Sequence, residues 1–135
     1  MRPLFYAKLY LMTVFIFFAI DIVWLGYIAK PFYKKNLAGI LSPNVNWRAA
    51  AAFYLIYITG ILIFAVLPAL EKGSLAKALL WGALFGFFTY ATYDLTNLAT
   101  ISNWPLKIVI VDICWGMFLC SAVAWLSYLS GRWIS

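Results

Sequence analysis

The sequence contains no histidine. That removes the commonest general base, the commonest protein metal ligand and the usual haem ligand. Acidic residues are scarce as well: four stand against ten lysines and arginines, and charged residues make up only 10% of the chain. Cysteine is limited to Cys114 and Cys120, which lie in one apolar run. Their spacing puts them on largely different helix faces, so they form no intrahelical disulfide or metal clip and read as small packing residues. The net charge is +6, yet the basic residues are scattered between apolar runs and not gathered on one segment. Cations so placed anchor helix ends at lipid headgroups, and nucleic acid is not expected as a partner.

What the chain has in quantity is apolar surface. Of its 135 residues 67% are hydrophobic, and the mean hydropathy is +0.96. A soluble domain is nearer half apolar and a quarter charged. The lipid bilayer is therefore the expected surrounding, and the length allows a single domain, 1–135. Four apolar runs, about residues 9–29, 48–67, 78–101 and 106–130, each approach the ~20 residues a helix needs to cross a membrane. The expected fold class is an all-α membrane protein, a four-transmembrane-helix bundle. The first run is too long for a signal peptide, is interrupted by Asp21 and leads to no small-x-small cleavage site, so it reads as a span.

Punctuation between the runs agrees with this division. Lys30 to Trp47 carries Pro31, Gly39 and Pro43 and reads as an interfacial connector. Pro68 is expected to close the second helix, Glu71-Lys72-Gly73-Ser74 to form a tight turn, and Pro105 to open the fourth helix. Gly82 and Gly86 form G-x-x-x-G, a spacing that permits close helix approach. Trp47, Trp81, Trp104 and Trp133 fall near the expected span ends, where an aromatic belt belongs.

Three of the four acids, Asp21, Asp94 and Asp112, sit inside the apolar runs. In an up-down bundle the first and third helices run away from the termini, and the second and fourth run back. Asp21 then lies roughly 12 Å before the end of the first helix, Asp94 roughly 10 Å before the end of the third, and Asp112 roughly 9 Å after the start of the fourth. All three are expected at similar depth below one membrane face. Carboxylates at that depth are costly, so they are expected to face the bundle interior and to be paired, protonated or ligand-bound. Like charges at one level repel, so at least one acid is expected to keep its proton. Arg48 and Lys107, at the starts of the second and fourth helices, and Lys30 are the candidate counter-charges. On the third helix Tyr90 and Asn97 share the face of Asp94.

Two of the acids open the same short pattern. Asp21-Ile22-Val23-Trp24 and Asp112-Ile113-Cys114-Trp115 are both Asp-Ile-x-Trp, each followed closely by a glycine, Gly26 and Gly116. With Tyr93-Asp94-Leu95-Thr96-Asn97 on the third helix, the chain resembles a family of small bacterial membrane proteins, domain of unknown function 2177. The resemblance covers essentially the whole chain. It implies Asp21, Trp24, Asp94, Asn97, Asp112 and Trp115 as characteristic residues, and a multi-pass protein of the bacterial cytoplasmic membrane. It implies no activity.

Three functions stay open. The leading one is a site that binds or transports a small cation or a cationic, amphiphilic molecule, with Asp21, Asp94, Asp112 and Asn97 supplying polar groups, Arg48 balancing charge, and Trp24, Trp115 and Tyr90 offering π faces. The second is an accessory subunit whose polar residues only hold helices together, with a partner membrane protein or a second copy of the chain. The third is a lipid-modifying enzyme with aspartate-bound Mg²⁺ or Ca²⁺, since oxygen ligands suit those ions. No catalytic signature appears, no cofactor is indicated, and the identity of any metal is unknown. Basic residues divide five against five between the two sides, so the charge rule gives no orientation.

Overall fold

The computed structural model describes residues 2–135. Four long helices are each apolar enough to cross a membrane: α1 (Arg2–Ile28), α3 (Trp47–Lys72), α4 (Leu75–Thr100) and α5 (Leu106–Ile134). A short helix, α2 (Lys30–Asn36), lies between α1 and α3. No strand occurs among the described residues. The protein is an all-α, four-span membrane protein.

The helix ends follow local chemistry. The Asn46 side chain caps α3 by accepting from the Ala49 amide at 3.1 Å, and Ser74 caps α4 through the Lys77 amide at 3.2 Å. Gly73 stops α3 in the left-handed conformation, φ +62°. Pro68 does not end α3 as its type suggests. A proline ring in a regular helix collides with the carbonyl four residues back, here that of Phe64. Residues Leu62–Val66 form a wider, π-helical turn around that carbonyl, and the helix continues to Lys72.

α4 and α5 form the most closely packed pair. A methyl group on Gly82 would collide with the Cys120 carbonyl oxygen, and one on Gly86 with that of Gly116. The G-x-x-x-G face is thus the contact that draws α4 onto α5. α1 lies against α5 on another side. Thr13 on α1 donates to Ser127 on α5 at 2.9 Å, and Trp24 meets Trp115. Residue numbers rise along one helix as they fall along the other, so the two are antiparallel. α3 completes the bundle with Ile58, Ile61, Ala65 and Val66 fully buried against Leu119 and Val123.

Large apolar side chains such as Phe15, Ile56, Phe88 and Phe118 point outward. On a membrane span that surface meets lipid.

Candidate functional site

The aspartates occupy the end of the bundle where α1 leaves and α5 begins. Asp21 is buried at 7% exposure and Asp94 at 0%, while Asp112 is half-buried. Asp21 and Asp112 line one cavity of about 280 Å³, together with Trp24, Trp115, Tyr33, Tyr54, Tyr90 and Trp104. Asp94 stands behind Asp112, with the Asp112 carboxyl and the Trp104 indole as its nearest polar neighbours. Neither Asp94 oxygen makes a well-formed hydrogen bond among the described residues, and the same holds for the buried Nε1 atoms of Trp104 and Trp115.

The repeated Asp-Ile-x-Trp pattern explains the middle of the site. Each pattern puts its Trp about one turn after its Asp on the same helix face. Because α1 and α5 are antiparallel, the Asp of each helix lies level with the Trp of the other. Asp21 faces the Trp115 indole, with the Tyr54 hydroxyl also beside it. Trp24 Nε1 donates to the Tyr33 hydroxyl at 3.4 Å, and Tyr33 in turn donates to Asp112. Between the two acids the indoles stack, ring centroids 4.3 Å apart and planes 8° apart. The final turn of α1, Trp24–Ile28, is π-helical and starts at the stacked Trp itself. Such widened turns recur at functional sites.

Tyr33 comes from α2, in the segment read from sequence as a plain interfacial connector. That segment in fact folds over the cavity: Tyr33 and Leu37 both line it. Burial, and after it the hydrogen bond to Asp112, push the Tyr33 phenol above its ordinary value of 10. It stays a neutral O–H donor at any physiological pH. Trp104 differs from the expected belt residue as well. It is 8% exposed and turned inward onto the acids. Tyr54, Tyr33 and Trp104 were the residues sequence reasoning missed. Tyr54 carried one usable signal, its place in a polar stripe with Tyr57 and Gly60 at three-residue spacing.

Tyr90 is on α4 and turns toward α5. Its ring packs on Gly116, where any Cβ would strike it, and it borders the cavity. Asn97 is half-buried one turn beyond Tyr93 and does not line the cavity. Arg48 is exposed and outside the site. Lys30 and Lys107, the other expected counter-charges, are exposed too. No lysine or arginine lines the cavity or is among the groups that face the three carboxyls. The expectation of a counter-charge fails because each of these cations sits at a helix start, where its flexible stem reaches water. No three acidic or cysteine side chains among the described residues draw together as a metal site.

The family model described as predicted membrane protein (DUF2177) matches residues 6–129. The chain belongs to this family. No curated protein and no solved structure matches it. The matched residues include every aspartate and aromatic side chain of the DUF2177 cavity.

Proposed function

We propose that this DUF2177 protein binds a small organic cation in its aspartate cavity and carries it within or across the cytoplasmic membrane of a bacterium. The observation that carries this reading is a set of buried acids with no basic neighbour, walled by aromatic rings. Carboxyl groups supply the charge, and ring faces of Trp24, Trp115 and Tyr90 left uncovered by their packing would supply π surface, the pairing used to hold quaternary ammonium ions.

Polar residues that merely hold helices look different in this same chain. Thr13 donates to Ser127 at 2.9 Å, and the Tyr57 hydroxyl sits 2.7 Å from Thr89 and 3.1 Å from Cys120. Those groups close on one another. Asp94, Trp104 and Trp115 lie beside the carboxyls of the site without a well-formed hydrogen bond among the described residues. Leaving a buried polar group without a partner costs about 1–3 kcal/mol, which a structural role gives no reason to retain.

The test is tetramethylammonium titrated into the protein in lipid nanodiscs, followed by tryptophan fluorescence and calorimetry. A saturable response that is lost in Asp21→Asn and Asp112→Asn and kept in Arg48→Ala supports the reading. A wild type with no response, or a response equal in all four proteins, removes it and leaves the accessory-subunit function in its place.

A further inference from the structure

A second, larger cavity of about 760 Å³ lies between α3 and α4, within the ~300–1,000 Å³ typical of small-molecule sites. Its walls are almost wholly apolar: Phe53, Ile56 and Tyr57 on one helix, Phe88 and Tyr93 on the other. The hydroxyls of Thr89 and Thr92 on its α4 wall are satisfied by carbonyls of their own helix, at 2.7 and 2.6 Å. The backbones of α3 and α4 approach most closely along residues 62–72 of α3; toward the aspartate end they are farther apart and are bridged by the Tyr57 side chain, which reaches Thr89 at 2.7 Å. Ile56 and Phe88, 72% and 62% exposed, sit on the open lips. A gap between two membrane spans with apolar lips opens to lipid.

Phe53, Tyr90 and Tyr93 border this groove and the acid cavity alike. The two spaces therefore meet at one wall, one greasy and open sideways, the other acidic and deep. We infer that the ligand is a single-chain cationic amphiphile, an alkylammonium whose head enters the acid cavity past Tyr90 while its hydrocarbon tail stays in the α3–α4 groove. This rests on the cation reading of the aspartate cavity and adds to it the ligand class and its way in.

Charge decides the head. Phosphate carried beside buried carboxylates would be repelled, so an ordinary anionic or zwitterionic phospholipid fits the groove and not the cavity. The acids decide the destination. Asp21 and Asp112 line the cavity, Asp21 at 7% exposure, and no lysine or arginine shares that lining, so the positive head finds there the Coulomb attraction that the apolar groove lacks. In a bilayer the tail is solvated by hydrocarbon in either place. The readout is therefore its location and not a gain in affinity.

The probe is dodecyltrimethylammonium bearing a diazirine at the tail end, photolysed with the full chain in phosphatidylglycerol nanodiscs and mapped by mass spectrometry. Adducts should concentrate on Ile56, Phe88 and Thr92. They should fall several-fold in Thr92→Trp, which fills the groove from an exposed position, and in Asp21→Asn combined with Asp112→Asn, which removes the anchor for the head. Adducts spread over the lipid-facing positions of all four spans, or unchanged by Thr92→Trp, overturn the inference. Tetramethylammonium separates the two failures. If it still perturbs tryptophan fluorescence in an aspartate-dependent way, only the tail placement is wrong; if it does not, the cation site itself is absent.

Discussion

The indoles of Trp24 and Trp115 stack face to face, 4.3 Å between centroids. They occupy the same position of the same four-residue pattern on two antiparallel helices. The crossed arrangement follows: Asp21 reaches toward Trp115, and Trp24 reaches through Tyr33 to Asp112. One short sequence used twice in opposite directions thus builds both sides of the cavity. A local two-fold relation of this kind needs no similarity elsewhere along α1 and α5, and little is present.

The stack makes a spectroscopic prediction. Two parallel indoles in van der Waals contact couple their transitions, so the protein should show an exciton couplet in its ultraviolet circular dichroism. Trp24→Phe and Trp115→Phe should each abolish it. Each should also cost about 0.5–1.5 kcal/mol beyond the loss of buried area. A couplet that survives either change would mean the rings do not pair in the membrane.

Helix approach gives a second prediction. At Gly86 an added side chain meets the backbone of Gly116, which cannot rotate away. Gly86→Leu should lower stability by about 3 kcal/mol or more, above the usual range for overpacking because backbone is struck. Gly26 has open space around it, so Gly26→Ala should be nearly silent. Equal melting temperatures for wild type and Gly86→Leu in detergent would show that the α4–α5 contact is looser than described.

Much of this was legible in the sequence, and for a physical reason. An acid inside an apolar run is so costly that its position is deliberate, and counting at 1.5 Å per residue from the run's end gives its depth. Aromatic residues carry no such signal. A tryptophan near a span end, such as Trp104, serves equally well in an interfacial belt or turned inward on a carboxyl, and only packing decides. Tyr33 was hidden because prolines and glycines on both sides of it look like loop, although four of its neighbours are enough for one helical turn. Pro68 reads as a stop because the compensating wide turn upstream is a backbone feature with no residue signature. The counter-charge expected at Arg48 rests on helix order alone, and a long side chain at a helix start has water as an alternative.

That last point is itself testable. An exposed arginine without an ion partner contributes little, so Arg48→Ala should change stability by no more than about 0.5 kcal/mol. Were Arg48 neutralising the aspartates, its removal would leave buried charge uncompensated at a cost of roughly 3–5 kcal/mol. Thermal melts of the two proteins in the same detergent distinguish these values easily.

Topology is checked without reference to the cavity. Four spans place both chain ends on one side of the membrane. Reporter domains fused in turn before Arg2 and after Ser135 should answer from the same face. Opposite answers would mean that one of the four helices does not cross.

Asp94 separates a working site from a structural one. It is the most deeply buried of the three acids, and both its oxygens lack a partner among the described residues. If Asp94 held helices together, Asp94→Val would unpair its neighbours and lower stability by several kcal/mol, roughly 3–5 for a broken buried pair. If instead the site is kept for a ligand, removing an unsatisfied polar group relieves desolvation. Asp94→Val should then be as stable as wild type or more stable by about 1 kcal/mol. The same variant should lose the fluorescence response to tetramethylammonium. Asp94→Asn supplies the control for shape: it retains a polar side chain of equal size, cannot ionise, and should fold like wild type while losing the response. A ligand role therefore predicts a lost response at undiminished stability, and a structural role predicts lost stability. A destabilised Asp94→Val that still responds to the cation would show Asp94 to hold helices together and not to serve the ligand.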